Sequence, residues 1–191
     1  AEVIGQKHLL KEGSPFMHIV RSKRIPSLIF WGPPGIGKTT IAQILAQLAD
    51  RPFKQLSAVS SGVKDVRNVI THAKRFPGTI LFIDEIHRFN KSQQDSLLGA
   101  VEKGLITLIG ATTENPSFEV ISPLLSRCQV YVLEPLNKNE LIQLVEKAIS
   151  EDYVLKNLNI KVEEYEALLQ FSGGDARKLY NALEIVVSTS L

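Results

Sequence analysis

An octet with the residue types of a phosphate-binding loop lies at residues 32–39 and reads GPPGIGKT. The spacing is a glycine, four residues and then Gly-Lys-Thr, between an apolar run and a helix-like run. The glycines let backbone N–H groups turn toward a phosphate, and the following helix N-terminus adds partial positive charge. Lys38 would reach the terminal phosphates, and the Thr39 hydroxyl would bind Mg²⁺. The octet therefore predicts a site for a nucleoside triphosphate.

A second group of residues that could take part in catalysis is the acidic pair Asp84 and Glu85, which follows an apolar run at residues 79–83. Because buried strands place their terminal carboxylates at the sheet's edge, we expect this pair beside the phosphate loop. Asp84 would hold Mg²⁺, and Glu85 would orient and polarise the attacking water. Phosphoryl transfer depends mainly on such positioning and charge stabilisation. The alternative for this pair is an ordinary acidic strand end.

Glu85 and His87 also fit a metal-site interpretation, because alternate residues on a strand face the same way. The four histidines are scattered at positions 8, 18, 72 and 87, so no second histidine cluster accompanies this pair. We therefore disfavour a structural metal there.

Composition sets the broad class of the protein. The chain has 191 residues, 44% hydrophobic and 22% charged, which is typical of a globular protein with one core and a small satellite domain. A net charge of +2 does not by itself indicate a nucleic-acid binder. The single cysteine excludes an internal disulfide and suits a reducing cytosol. No apolar run approaches the ~18–20 residues of a membrane helix, so we expect a cytoplasmic protein without membrane contact.

Strand-like and helix-like segments must position these side chains, and they alternate from residue 27 to about residue 134. Several strands are continuous apolar runs, which favours a parallel sheet covered on both faces, with the ligand at the carboxyl ends of its strands. The predicted strands are Leu28–Trp31, Phe53–Ser57, Ile80–Asp84, Thr107–Ala111 and Gln129–Leu133. The predicted helices are 7–21, 38–49, 62–75, 91–102 and 117–126.

The pattern changes after residues 134–136 and becomes helical only, at 139–150, 161–171 and 174–189. Asn137 is the expected start of the first of these helices. We therefore predict two domains, a nucleotide-binding α/β domain at 1–136 and an all-α domain at 137–191. The abrupt beginning and the helical ending lead us to expect a piece of a longer protein.

Three further motifs follow in order: GATT at 110–113, SRC at 126–128 and GDAR at 174–177. With the octet and the acidic pair, they resemble an AAA+ ATPase of the clamp-loader clade. Two longer stretches, DEIHRFNK at 84–91 and GATTENPSF at 110–118, are similar to the replication-associated recombination protein A family, which includes the Werner-helicase-interacting ATPases. The resemblance covers essentially the whole chain. It implies a doubly wound, five-stranded parallel sheet followed by a three-helix lid domain.

The resemblance also implies roles for individual residues. Thr113, or alternatively Asn115, matches the sensor that touches the terminal phosphate or the water. Arg127 matches an arginine finger that acts on a neighbouring subunit's nucleotide, with a surface salt bridge as the alternative. Arg177 matches a second sensor on the lid. The segment at 3–6 matches the one that cups adenine. The predicted catalytic residues are thus Glu85, Lys38, Thr113, Arg127 and Arg177. The predicted ATP-binding residues are Val3, Ile4, Gly32, Pro33, Pro34, Gly35, Ile36, Gly37, Lys38, Thr39, Thr40 and Arg177, with Thr39 and Asp84 for Mg²⁺.

For DNA contacts the candidates are Lys64, Arg67 and Lys91, because helix N-termini and nearby basic residues suit phosphates. A solvated helix face is the alternative. The resemblance implies the ATPase core of a nucleoid-associated protein that acts on forked, gapped or single-stranded DNA in replication-fork maintenance, recombination and repair. It also implies a homo-oligomer in the full-length protein and possible contacts with other replication proteins.

Two other functions remain open. One is a clamp-loader subunit or Holliday-junction branch-migration motor with the same core, although these do not usually carry the stretch at 114–118. The other is an ATP-binding scaffold without hydrolysis. The presence of Lys38, Asp84, Glu85, Arg127 and Arg177 disfavours that scaffold, because a degenerate site usually loses one of them.

Overall fold

Five parallel strands form one sheet in the order β2-β3-β4-β1-β5, as seen in a computed structural model that describes residues 3–190. The strands are β1 Leu28–Trp31, β2 Phe53–Ser57, β3 Thr79–Asp84, β4 Ile106–Thr112 and β5 Gln129–Val132. The predicted α/β fold with a five-stranded parallel sheet is confirmed. Residues 1, 2 and 191, the outermost residues of the two predicted domains, lie outside the described part of the chain.

Burial differs between the centre and the edges of this sheet. Strands β1, β3 and β4 are buried along almost their whole length, as continuous apolar runs require. The edge strands β2 and β5 are mostly partly buried or exposed. The core therefore lies around the three central strands, and these end at the octet, the acidic pair and the GATT motif.

Seven α-helices accompany the sheet. They are α1 Lys7–Leu10, α2 Pro15–Ser22, α3 Lys38–Leu48, α4 Val63–Arg75, α5 Lys91–Glu102, α6 Pro116–Glu119 and α7 Ser122–Leu125, with a 3-10 turn at Ile86–Arg88. Buried residues of α4 and α5, including Val66 and Leu97, pack in one cluster with Leu81 and Leu108 of the central strands.

The single helix predicted at 7–21 is wrong, because the chain forms two helices there. The first helix ends at Leu10, and Gly13, with a left-handed φ of +81°, lies in the turn that separates it from the second. The Ser14 hydroxyl then accepts a hydrogen bond from the Met17 N–H at 3.1 Å and caps α2, with Pro15 as its first residue.

The single helix predicted at 117–126 is also wrong. Val120 and Ile121 are extended and separate α6 from α7. Gln94, buried on α5, stabilises this interruption. Its amide nitrogen donates to the Glu119 carbonyl at 3.0 Å, and its amide oxygen accepts from the Ile121 N–H at 2.8 Å.

The described residues divide into two compact units. One comprises Lys7–Gly32 and Lys38–Leu133 and holds the sheet, and the other comprises residues up to Gln6, Pro33–Gly37 and the chain from Glu134. The helices of this second unit are α8 Lys138–Glu151, α9 Glu166–Ser172 and α10 Ala176–Ser190, with a 3-10 turn at Leu155–Asn157. In the described part of the chain, no helix is long and apolar enough to cross a membrane.

The first helix of this unit starts as predicted. The Asn137 amide oxygen accepts from the Glu140 N–H at 3.0 Å, and the Glu140 carboxylate accepts from the Asn137 N–H at 2.9 Å, which is a reciprocal cap. The helix predicted at 161–171 is wrong in its first five residues, since α9 begins at Glu166. The β-branched residue Val162 lies in this non-helical stretch, where its stiff side chain disfavours a helix.

Candidate nucleotide-binding site

In the sheet unit, Lys38 is fixed at the carboxyl end of strand β1. It is the first residue of α3, is only 7% exposed, and donates from Nζ to the Gly32 carbonyl oxygen at 2.7 Å. Thr39 is half-buried and Thr40 is exposed in the same first turn. Because the first N–H groups of a helix lack partners within it, this end of α3 combines an ammonium group with a positive helix terminus.

The acidic pair lies at the carboxyl end of β3, which is separated from β1 by β4 alone. Asp84 is the last residue of the strand and is paired in register with Ser57 of β2. Its Oδ1 accepts from the Glu85 N–H at 3.2 Å. Glu85 has a φ of +56°, and this left-handed conformation costs a non-glycine residue roughly 1 kcal/mol. The turn that follows therefore holds Glu85 in an uncommon conformation.

His87 faces both Glu85 and the end of β4. Its Nε2 lies 3.4 Å from Glu85 Oε2, and its Nδ1 lies 3.0 Å from Thr112 Oγ1. The assumption that Glu85 and His87 share a strand is wrong, because β3 ends at Asp84 and His87 lies in the 3-10 turn. Within residues 3–190, no group of three or more His, Cys, Asp or Glu side chains is arranged to hold a metal. Sequence reasoning noted this pair but missed Thr112.

Strand β4 contributes its last residues to the same edge. The fully buried Thr112 accepts at its carbonyl oxygen from the Gly32 N–H at 3.1 Å, and its hydroxyl oxygen accepts from the Glu114 N–H at 3.0 Å. Thr113 follows and is half-buried. The Asn115 amide oxygen accepts from the Ser117 N–H at 3.0 Å and caps α6. Of the two candidate sensors, Asn115 is thus already engaged in a cap.

Arg127 lies near the amino ends of the strands, whereas Lys38 lies near their carboxyl ends. It precedes Gln129, the first residue of β5, and β5 runs parallel to β1 beside it. The exposed guanidinium pairs with Glu102 at the end of α5, with Nη2 2.5 Å from Oε1, and donates to the Pro123 carbonyl at 2.7 Å. Sequence reasoning weighed a surface salt bridge at Arg127 but did not identify Glu102 as its partner.

In the helical unit, the phosphate loop contacts the start of α10. The Gly35 carbonyl accepts from the Ala176 N–H at 2.9 Å. Gly35 has a φ of +70°, and a Cβ there would clash with the Asp175 carboxylate. The same carboxylate oxygen accepts from the Arg177 N–H at 2.8 Å. Arg177 is exposed, in the turn of α10 that begins against the loop.

The segment at 3–6 packs against the first residues after the sheet unit. Val3 and Ile4 are half-buried, and Gly5 has a φ of +88°. Gln6 forms two hydrogen bonds with the backbone of Glu134, donating to its carbonyl at 2.8 Å and accepting from its N–H at 3.0 Å. Sequence reasoning missed this role of Gln6, because its partner lies 128 residues away.

Residues 28–136 match the ATPase family associated with various cellular activities (AAA). The chain belongs to the AAA family. Over 195 residues it is 48% identical to Replication-associated recombination protein A of Coxiella burnetii, covering 100% of this chain and 44% of the relative. It is 44% identical over 196 residues to ATPase WRNIP1 of Dictyostelium discoideum, covering 100% of this chain and 22% of the relative. The AAA chain thus spans less than half the length of each of these relatives. The family resemblance that we inferred from the sequence is confirmed.

A solved structure agrees with this AAA assignment. The RuvB Holliday junction branch migration motor of Thermotoga maritima is similar with a TM-score of 0.74 at 30% sequence identity, over 92% of this chain and 59% of that one. The fold of the AAA chain therefore resembles that of a Holliday junction branch migration motor.

The predicted DNA-contacting residues of the AAA domain lie at two neighbouring helix starts. Lys64 and Arg67 are exposed on α4, and Lys91 is exposed at the first position of α5. The Gln93 amide of α5 donates to the Ser61 carbonyl just before α4 at 3.1 Å, which brings the two helix starts together. All three basic residues are thus carried on two joined helix N-termini.

Proposed function

We propose that this AAA chain is the ATPase core of a protein that acts on DNA in replication-fork maintenance, recombination and repair. The observation that carries the proposal is one edge of the sheet, where Lys38, Asp84 and Glu85 follow buried parallel strands. The relatives named above support the DNA process, since the match covers the whole of this chain.

The sheet unit supplies the groups that the reaction needs. We assign Lys38 to the terminal phosphates and Glu85 to the attacking water, with Thr113 as the sensor. The Thr39 hydroxyl and the Asp84 carboxylate are oxygen donors of the kind that suits Mg²⁺. When bound, Mg²⁺ would neutralise charge on the phosphate oxygens. The protein's own contribution is then to place an ammonium group and a carboxylate on either side of the reacting phosphate.

For the helical unit we propose that Arg177 senses the terminal phosphate and that Val3 and Ile4 contact adenine. The remaining nucleotide contacts are assigned to the loop residues Gly32, Pro33, Pro34, Gly35, Ile36, Gly37 and to Thr40. The bonded contact of Gly35 with the start of α10 supports this, because Arg177 lies one residue beyond the donor Ala176.

We further propose a homo-oligomer in which Arg127 serves the nucleotide of a neighbour. Its position at the amino ends of the strands supports this, because the groups assigned to its own nucleotide lie at the carboxyl ends. Lys64, Arg67 and Lys91 are assigned to DNA phosphates. We place the protein in the bacterial cytosol with the nucleoid, where contacts with other replication proteins are possible.

A second candidate function is branch migration of four-way DNA. The similarity to the RuvB motor favours it, with a TM-score of 0.74. The stretch ENPSF at 114–118 favours the first function, because branch-migration motors do not usually carry it.

The test is a DNA-stimulated ATPase assay on the full-length protein with gapped, forked, single-stranded and four-way DNA of matched length. We expect forked or gapped DNA to stimulate hydrolysis most, and Glu85→Gln to abolish the stimulation. Lys54→Gln, at an exposed residue of edge strand β2, serves as the matched control. Stimulation by four-way DNA alone would support branch migration instead, and no stimulation by any DNA would contradict both functions.

A further inference from the structure

We propose that His87 is a positioning residue, which holds the Glu85 carboxylate for hydrolysis and connects it to the end of strand β4. The inference rests on the proposed function, in which Glu85 orients the attacking water. His87 itself is assigned no contact with nucleotide.

The position of the imidazole between two partners carries this proposal. Its side chain is only 12% exposed, with Nε2 3.4 Å from Glu85 Oε2 and Nδ1 3.0 Å from Thr112 Oγ1. Thr112 is fully buried, so its hydroxyl is a fixed point against which the ring is held. A half-buried carboxylate with one rigid N–H partner has fewer orientations than a free one.

One arrangement of protons gives the Glu85 carboxylate an N–H partner. The Thr112 hydroxyl oxygen accepts from the Glu114 N–H, and its single hydrogen can be donated either to the Glu114 carbonyl at 3.1 Å or to His87 Nδ1 at 3.0 Å. Donation to Nδ1 is the choice that suits Glu85. The neutral imidazole then carries its hydrogen on Nε2, which faces the negative Glu85 carboxylate. The opposite tautomer would direct the Nε2 lone pair at that carboxylate, which is unfavourable.

Arg88 is a second basic side chain near Glu85, with its Nε 3.7 Å from Oε2. Its side chain is 58% exposed, so water and salt weaken that interaction and its long chain adds freedom. His87 is therefore the partner that can fix the carboxylate, and Arg88 provides a matched comparison.

The connection continues to Gly32 and Lys38 of the sheet unit. The Thr112 carbonyl accepts from the Gly32 N–H at 3.1 Å, and Gly32 also binds the Lys38 ammonium. A continuous series of contacts thus runs from Lys38 through Gly32, Thr112 and His87 to Glu85. A displacement of Lys38 or Gly32 has a direct physical route to the carboxylate that is assigned to the water.

Two nearly isosteric variants in the full-length protein separate the two contacts of the ring. His87→Gln keeps an N–H near the Nε2 position that faces Glu85, whereas His87→Asn keeps a polar group near Nδ1 and loses the Glu85 partner. His18→Gln, at an exposed histidine of α2, controls for general effects of the substitution. Steady-state hydrolysis and the Kd of a fluorescent ATP analogue are measured for each variant, with thermal unfolding as the folding check.

We expect kcat to fall by about 10- to 100-fold in His87→Asn, because small displacements of reacting groups cost factors of this size. His87→Gln should retain more activity than His87→Asn, and the Kd for nucleotide should stay within about twofold in both. Arg88→Gln should change kcat less than His87→Asn does. In the His87→Gln background, Thr112→Val should cost little further activity, because coupled residues are not additive.

The proposal is overturned if both His87 variants hydrolyse ATP like the parent while Glu85→Gln is slow. It is also overturned if the Kd rises in proportion to the loss of kcat, since a structural role would then explain the result. If Glu85→Gln itself hydrolyses at the parent rate, the assignment of Glu85 fails, and that failure is distinct from one at His87.

Discussion

Glu85 and Arg127 lie at opposite ends of the same sheet, and their surroundings differ. Glu85 is half-buried, has a left-handed backbone conformation and faces a histidine that is bonded to a buried threonine. Arg127 is exposed and has a carboxylate and a carbonyl of its own unit as partners. Groups that act on the unit's own nucleotide are expected to be fixed in advance, whereas a group that serves a neighbour must stay accessible.

The length of the strands separates Arg127 from the phosphate site of its own sheet. The four residues of β5 follow Arg127 and run beside the four residues of β1, which Lys38 follows after the loop. At about 3.3 Å per residue, the two edges lie roughly 13 Å apart along the strands. A guanidinium at one edge cannot therefore act on a phosphate at the other edge of the same sheet.

The largest effect is expected at the carboxyl edge. Lys38→Ala removes the ammonium group that is assigned to the terminal phosphates, so tight ATP binding and hydrolysis should both be lost. Titration with a fluorescent ATP analogue measures the binding, with Lys54→Ala as a control at an exposed lysine of β2. Unchanged affinity in Lys38→Ala would remove the basis for assigning the site to this edge.

At the amino edge, Arg127→Ala should bind ATP normally in the full-length protein and hydrolyse it about 10³-fold more slowly or worse, as arginine fingers do. Mixing it with Glu85→Gln subunits should restore part of the activity, because some interfaces then pair an intact Glu85 with an intact Arg127. Subunit exchange is established separately by energy transfer between labelled subunits. If exchange occurs and no activity returns, Arg127 does not act between subunits.

A smaller effect is expected from Glu102→Gln, which removes the carboxylate partner of Arg127. Exposed ion pairs contribute about 0.2–1 kcal/mol, so hydrolysis should fall by no more than about fivefold, with thermal stability nearly unchanged. The difference from the parent should shrink as salt is raised, since salt screens exposed charges. A loss as large as that of Arg127→Ala would show that Glu102 does more than hold the guanidinium.

The least perturbing measurement changes no residue and follows Cys128, next to Arg127. Burial raises the pKa of the Cys128 thiol from 9.0 to about 12. Because the thiolate is the reactive form, alkylation at pH 8 should be about 10³-fold slower in the folded protein than in urea. The rate should still rise with pH above 9, where an ordinary thiol levels off. Rapid labelling at pH 8 without urea would show that this edge opens readily.

Local patterns predicted the central strands and the residues at their carboxyl ends. The octet and the acidic pair carry their chemistry in consecutive residues, and β1 and β3 are continuous apolar runs. Partners distant in sequence were not predictable in this way. His87 and Thr112 are 25 residues apart, and Gln94 and Ile121 are 27 apart, so no local spacing reveals either contact.

The errors in the helices predicted at 7–21 and 117–126 have a different cause. The segment at 7–21 has helical spacing of apolar residues, but the Gly13-Ser14-Pro15 sequence forms an end and a new cap inside it. In the segment at 117–126, the interruption is stabilised by the side chain of Gln94 from another helix. The first interruption could have been predicted from the turn-forming residues Gly13, Ser14 and Pro15, whereas the second depends on tertiary structure.

Two hydrogen bonds from Gln6 to the backbone of Glu134 have a consequence for synthesis of the chain. Translation is directional, and 128 residues must be added after Gln6 before its partner exists. At about 5–20 residues per second, that delay is on the order of ten seconds. The delay between synthesis of Gly35 and synthesis of its partner Ala176 is longer still. The last strand of the sheet ends at Val132, so on the ribosome the sheet is available to chaperones and proteases while the residues up to Ala176, the partner of Gly35, are still being added.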